Sequence, residues 1–374
     1  MEKKQCIFHI PIDLRGQKNS GSSVRPNKMI EAFQNIGYKV EIIMGDGKKR
    51  KQKIREIKKK IKKGEKYDFL YSESSNLPTL LTETHHFPRY PFLDFRFFRF
   101  CKKHNIKIGL FYRDVHWKFD HFKKGKSKYK LIIGEWFYKY DLWQYRKHLD
   151  VFYLPNKKML PYIPISFNGE IEELPPGGSI PGRDLEPTNT RSRSNDNQLR
   201  IFYVGGLSSL YNLELLFKAT QALDFVSLVV CCREEEWNKE KEKYEQYLNN
   251  RIKIVHEQGK ELYSYFNQAD ILNLFVEPIP YWDVAIPLKL FEYISNQRPI
   301  IAVKNTAVGN FITKNKIGWT CEYSLKALQD LLSQLYSDKI DEKKEIHVKK
   351  ANIKALKCNN TWEVRAHKVV ADLK

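Results

Sequence analysis

LRIFYVGGLSSLYNLELLFKATQALDFVSLVVC, residues 199–231, decides the fold. Its first six residues are almost continuously apolar, as in a strand covered on both faces of a parallel sheet. Gly205-Gly206 turns the chain. Residues 213–223 carry apolar positions at helical spacing, and 226–231 form a second apolar run. Strand, loop, helix, strand is a βαβ unit. The first half opens in the same way. QCIFHIPI (5–12) reads as a buried strand, and a polar loop with Gly16 and Gly21 follows. Arg25-Pro26 opens a helix with Met29, Ile30, Phe33 and Ile36 on one side. Pro26 suits the first helical position and Gly37 the stop, before the strand KVEIIM at 39–44. Further strands are predicted at 106–111, 253–255, 271–275 and 299–303. The expected class is α/β, with two Rossmann-like domains built on doubly wound parallel sheets. The expected boundaries are a first domain over 1–170, a linker over 171–198, a second domain over 199–355 and a closing helix over 356–374.

The proposed linker holds Pro175-Pro176-Gly177-Gly178 and then GRDLEPTNTRSRSNDNQ, without apolar periodicity. A length of 374 residues with 42% hydrophobic content suits two packed domains and excludes wholesale disorder. No apolar run reaches the length of a membrane-spanning helix. The N-terminus, broken by His9, Pro11 and Asp13, is not expected to be a secretory signal. Six scattered cysteines without a CxxC pair suit a reducing cytoplasm, and no metal site is expected.

Charge is uneven. Lys and Arg number 65 against 44 acids, net +21, and residues 1–180 hold 37 bases and 19 acids, net +18. That half is expected to meet something anionic: a membrane surface, a phospholipid-linked substrate or nucleic acid. A lysine-rich genome would leave the same mark.

In AIPLKLFEYISN (285–296), Pro287 marks a helix start, and the amides after it lack intrahelical partners. Such a terminus receives anions such as a diphosphate. Lys289 and Glu292, three apart, share a face. Lys289 would neutralise phosphate and Glu292 would accept from ribose hydroxyls. The same spacing equally serves a solvated ion pair.

YWDVAIPLKLFEYISNQRPIIAV (281–303) resembles the nucleotide-sugar signature of family-4 glycosyltransferases of the GT-B fold. FYVGGLSSLYNLELLFKAT (202–220) resembles their phosphate-side loop. GSSVRPNKMIEAFQNIGYKVEII (21–43) resembles their acceptor-domain opening, and NTWEVRA (360–366) their closing helix. The resemblance implies two domains facing across a cleft and retaining transfer from a nucleotide-sugar co-substrate, UDP-linked by family habit. No other cofactor is implied. Donor contacts would come from Gly205, Gly206, Lys289, Leu290 and Glu292, with Gly21 and Arg25 added from the first domain. In Tyr112-Arg113-Asp114-Val115-His116-Trp117, His116 matches the family histidine beside the transferred sugar, with Asp114 orienting it or capping the turn. Two features depart from the family. The first glutamate of its Glu-x7-Glu pair falls at Val284, with Asp283 one residue off. Its basic pair is replaced by Ser208, Ser209 and Tyr211.

KKRKQKIREIKKKIKK (48–63) is a helix with a thin stripe of Ile54, Ile57 and Ile61 and a cationic remainder. FPRYPFLDFRFFRF (87–100) interleaves aromatics with Arg89, Arg96 and Arg99, and HFKKGKSKYK (121–130) adds five lysines. The lysines suit an anionic leaflet, and the phenylalanines suit a core. The expected protein is therefore a cytoplasmic enzyme, peripheral on the inner face of the cell membrane. It would act on a glycan or lipid-linked acceptor in bacterial surface polysaccharide synthesis. A nucleic-acid partner is not expected, because no helix-turn-helix, zinc or RNP-type motif accompanies the charge. A non-catalytic partner of an assembly complex and a nucleotide-sugar epimerase are the competing readings.

Overall fold

The computed structural model describes residues 4–15, 21–83, 85–179, 197–341 and 344–374. The chain divides into two compact units, Met1–Gly177 with Trp362–Lys374, and Gly178–Thr361. Each is built on a six-stranded sheet in which every pairing is parallel.

In the first unit the strands are β1 (Gln5–His9), β2 (Lys39–Ile43), β3 (Phe69–Glu73), β4 (Lys107–Phe111), β5 (Val151–Leu154) and β6 (Glu170–Glu173). Their order is β2-β1-β3-β4-β5-β6. The helices are α1 (Gly21–Asn35), α2 (Gly47–Lys62), α3 (Leu93–Lys103), α4 (Lys128–His148) and, from the end of the chain, the helix Trp362–Leu373. That last helix packs on α1 and over β4. Gly109 in β4 makes the approach possible, since a Cβ there would lie 2.9 Å from a Leu373 methyl. Inner strands β1, β3 and β5 are buried throughout, as a sheet covered on both faces requires.

Two readings of the sequence are corrected here. Helix α1 begins at Gly21, so Pro26 lies inside it rather than at its first position. Residues 171–173 of the proposed linker pair with β5 as the edge strand β6. An edge strand needs a partner on one side only, so the charged EIEE is tolerated there. Residues 180–196 of that linker lie outside the described residues, as does Gly16.

The second unit contains β7 (Leu199–Val204), β8 (Val226–Cys231), β9 (Ile252–Val255), β10 (Ile271–Leu274), β11 (Ile300–Val303) and β12 (Gly318–Cys321). The order is β12-β11-β10-β7-β8-β9. Its helices are α5 (Glu214–Ala222), α6 (Glu234–Tyr244), α7 (Leu262–Gln268), α8 (Leu288–Ser295), α9 (Ala307–Asn315), α10 (Leu325–Ile340) and α11 (Lys344–Cys358); the helix Trp362–Leu373 is α12. The sheet separates two apolar layers. Leu216, Phe217 and Leu332 lie in one, and Phe266, Phe291, Ile312 and Ile353 in the other. The direction of winding reverses between β7 and β10. Open α/β sheets place ligands at such a reversal, beyond the carboxyl ends of the strands.

A buried polar network ties the first unit together. Ser72 Oγ lies 2.8 Å from His9 Nδ1, and His9 Nε2 lies 3.0 Å from Asp94 Oδ1. This has the connectivity of a hydrolase triad, yet Ser72, His9 and Asp94 are all at most 2% exposed. Arg50, from the basic helix α2, donates to both oxygens of Asp94 and to the carbonyls of Pro11 and Gly45. Burial alone would raise the Asp94 carboxyl, but Arg50 and His9 outweigh it and hold it at about 2. The network fastens α2 and α3 to the sheet. Removing one partner strands a buried charge. Asp94→Asn is expected to destabilise the first unit by about 3–5 kcal/mol and Ser72→Ala by about 1 kcal/mol in denaturant titrations.

Candidate functional site

At the β7–β10 reversal, Gly205 leaves β7 with φ +145, a conformation that favours glycine. A Cβ at this position would lie 1.9 Å from Lys289 Cε, so the bare backbone makes room for the lysine. Lys289 stands in the first turn of α8, which is short, apolar on its inner side and preceded by Pro287. Its Nζ donates to Tyr203 Oη at 2.6 Å. It also lies 3.6 Å from the ring centroid of Tyr211 and 4.5 Å from that of Tyr203. Tyr203 Oη donates in turn to the carbonyl of Gly206 at 2.6 Å. Burial pulls Lys289 down from its ordinary 10.5 to about 7, with Glu292 and Glu236 opposing. A cation this lightly held takes up an anionic partner readily.

The amides of Leu288 and Lys289 have no partner among the described residues, whereas Leu290 N–H donates to Pro287 O at 3.2 Å. Leu290 itself is fully buried beneath the helix and offers its side chain to the core. Glu292 sits one turn further on, exposed to solvent. The surrounding protein raises its carboxyl above the usual range, and Lys289 opposes that shift. Lys289 turns to Tyr203 rather than to Glu292, so the alternative of a solvated i,i+3 ion pair is not what forms. Val284, in the place of the missing glutamate, is buried, and Asp283 is exposed.

The glycine loop differs from expectation. Gly205 N–H continues the strand ladder to Cys231 O at 2.9 Å, so it is not available to a diphosphate. Gly206 lies at the turn, and the next amide, Leu207 N–H, donates to Glu236 Oε2 at 3.3 Å. Glu236 is bridged to Arg233 at 2.8 Å. A carboxylate from α6 thus occupies the corner where amides and a lysine converge. Tyr203, Tyr211 and Glu236 were not singled out as site residues from the sequence. The only signal for Tyr211 was its place in the loop where a basic pair was expected.

In the first unit, His116 follows β4 in a single 3₁₀ turn. Asp114 Oδ1 accepts from His116 N–H at 2.9 Å, and its Oδ2 lies 3.7 Å from Nδ1, so it both caps the turn and faces the ring. Tyr138 of α4 donates to Asn76 O at 2.6 Å, leaving its oxygen to accept from His116 Nε2 at 3.3 Å. Burial lowers the imidazole pKa, with Lys126 assisting and Asp114 opposing. Burial thus favours the neutral ring, with Nε2 facing Tyr138 and Nδ1 facing Asp114. Arg25 does not reach a ligand position. It is 2% exposed, 3.2 Å from Glu73, and its guanidinium lies 3.4 Å over the Phe111 ring. Arg113 joins the same Glu73 at 3.4 Å. Gly21 is the first residue of α1.

Residues 186–354 match a family model described as Glycosyl transferases group 1. No curated protein matches the chain. Among solved structures, sucrose-phosphate synthase from Thermosynechococcus elongatus superposes with a TM-score of 0.66 at 13% identity, covering 98% of this chain and 97% of that one. A glycosyltransferase from Rickettsia africae gives 0.61 at 14%, covering 100% and 98%. Anabaena HepE in complex with UDP-glucose gives 0.62 at 10%, covering 98% of both. The fold is GT-B. The match to the group 1 glycosyltransferase model falls wholly within the second unit.

The depressed Lys289 has a consequence for stability. Between pH 7 and 10.5 the unfolded chain holds a proton that the folded chain lacks, so stability from this group rises with pH across that window. Below pH 7 the cost is fully present. Lys289→Met is expected to raise the melting temperature of the second unit by about 2–4 °C near pH 6, and the gain should vanish above about pH 10 in differential scanning fluorimetry.

Proposed function

We propose that the protein is a retaining hexosyltransferase that moves a sugar from a nucleotide diphosphate, UDP by preference, to a lipid-linked glycan acceptor in surface polysaccharide assembly. The observation that carries the reading is Lys289. It is a half-buried, readily recharged cation at the reversal of winding, beside two unpartnered amides at a helix start. The resemblance to UDP-glucose-bound HepE, though of fold alone, supports the nucleotide. In this reading the diphosphate displaces Glu236 from the loop amide and draws Nζ away from Tyr203. Glu292 accepts hydrogen bonds from hydroxyls of the ribose or the sugar.

The bond between the anomeric carbon and the diphosphate oxygen breaks as the acceptor oxygen attacks from the same face. The acceptor proton passes to the departing diphosphate, so no strong protein base is required. His116, oriented by Tyr138 and Asp114, positions a hydroxyl of the sugar or the acceptor. What the protein supplies is orientation and stabilisation of the growing diphosphate charge.

Lys289→Ala and Glu292→Ala are each expected to lower kcat/KM for UDP-sugar hydrolysis or transfer by about 100-fold. UDP-glucose is expected to raise the melting temperature of the wild type and not that of Lys289→Ala. Because Lys289 titrates near pH 7, donor binding at about pH 8 should take up close to one proton, read as a buffer-dependent enthalpy in calorimetry. Wild-type turnover in both variants would overturn the assignment.

A further inference from the structure

The buried residues of helix α4, Asp141, Leu142 and Tyr145, all lie in its carboxyl-terminal part. Thr79 N–H donates to Asp141 Oδ2 at 2.6 Å, and Thr79 Oγ1 meets Tyr145 Oη at 3.2 Å. The leading half is different. Tyr129 is 80% exposed, Ile132 67%, Ile133 55% and Trp136 60%. At about 100° per residue these four fall on one face, and the same face continues through Tyr140 to Trp143. Trp136 stacks on Tyr140 with centroids 5.8 Å apart, and Tyr140 lies 6.3 Å from Trp143. The result is a continuous aromatic and aliphatic stripe open to solvent. Soluble proteins seldom leave such a patch uncovered, since burying each large side chain is worth about 1.5–3 kcal/mol.

The charge beside the stripe identifies what covers it. Lys124, Lys126, Lys128 and Lys130 are all exposed where the helix begins. Glu135, the one acid from residue 121 to 140, is bracketed by Lys118 at 3.3 Å and Lys139 at 3.0 Å. Lys147 lies 3.0 Å over the Trp143 ring at the far end. A second copy of this chain would oppose lysines to lysines. Nucleic acid would leave the isoleucines uncovered. An anionic bilayer satisfies both parts. Tyrosine and tryptophan favour the headgroup level, isoleucine the acyl boundary, and each lysine gains about 1 kcal/mol near anionic lipid.

We propose that the leading half of α4 docks on an anionic lipid bilayer, its Tyr129–Ile132–Ile133–Trp136 stripe entering the headgroup–acyl boundary with the lysine cluster on the phosphates. This deepens, and rests on, the reading of a lipid-linked acceptor. The helix also carries Tyr138, whose oxygen holds His116. The element that meets the lipid is therefore the element that positions the candidate sugar-site histidine.

Flotation with vesicles of phosphatidylcholine, with and without phosphatidylglycerol, tests the proposal. The full chain should bind the anionic vesicles and release them in high salt. The combined variant Ile132→Ser, Ile133→Ser, Trp136→Ser should weaken binding at least tenfold, as should Lys124→Glu, Lys128→Glu, Lys130→Glu. All of these side chains are exposed, so both variants should keep the wild-type melting temperature and UDP-glucose shift. Wild-type chain that ignores anionic vesicles, or apolar variants that bind them as wild type does, would overturn the proposal. So would a wild-type dimer that the apolar variant splits. Vesicle binding without any UDP-glucose shift would instead remove the donor reading and leave the docking surface standing.

Discussion

The contact between Lys289 and Tyr203 organises the second unit's site. Tyr203 comes from the strand that begins the sheet, and Lys289 from the helix that follows the strand on the other side of the reversal. A hydroxyl at one side and two aromatic faces at the other hold the ammonium without neutralising it. A carboxylate in that place would have formed a closed ion pair with no call for a ligand. A neutral cradle keeps the cation poorly solvated and therefore responsive to an anion. The nearby carboxylates, Glu292 and Glu236, pull the pKa back up but are not hydrogen-bonded to Nζ.

The first unit uses charge in the opposite way. Glu73 is completely buried and is shared by Arg25 and Arg113, while Tyr71 donates to it at 3.0 Å. Asp94 is satisfied by Arg50 and His9. These closed networks lie under the ends of β1, β3 and β4, and they fix the backbone from which the His116 turn departs. Arg113 N–H donates to Ser74 Oγ at 2.9 Å, which locks the start of that turn to the neighbouring strand. Stiffness beneath and a neutral imidazole above are what a positioning residue requires.

Much of this was readable in the residues, for physical reasons that differ from place to place. The βαβ openings at 5–44 and 199–231 stood out because buried parallel strands are continuous apolar runs bounded by glycine. Of the phenylalanines in 87–100 that suit a core, Phe95, Phe97 and Phe98 are buried in α3, whereas Phe87 and Phe92 are exposed. The edge strand EIEE escaped notice, since its pairing with β5 leaves no periodic trace in composition. Arg25 enters the sequence reading through the resemblance alone; its partner Glu73 ends the strand FLYSE, which the sequence analysis does not predict. Lys289 was found by its place after Pro287, but its tyrosine cradle lies 86 positions away in sequence and only the fold could supply it. The α4 stripe went unread because the same spacing usually marks a helix face turned inward.

The missing Cβ of Gly205 has an evolutionary corollary. With 1.9 Å between that absent atom and the lysine side chain, any replacement at 205 displaces the ammonium and is felt at residue 289. The two positions, 84 apart along the chain, form one unit of inheritance. A lineage that alters either must alter both, or abandon the basic character of the pocket altogether. Drift at Ser208 and Ser209 is cheaper, so descendants of this sequence would diverge there around a fixed glycine and a fixed lysine.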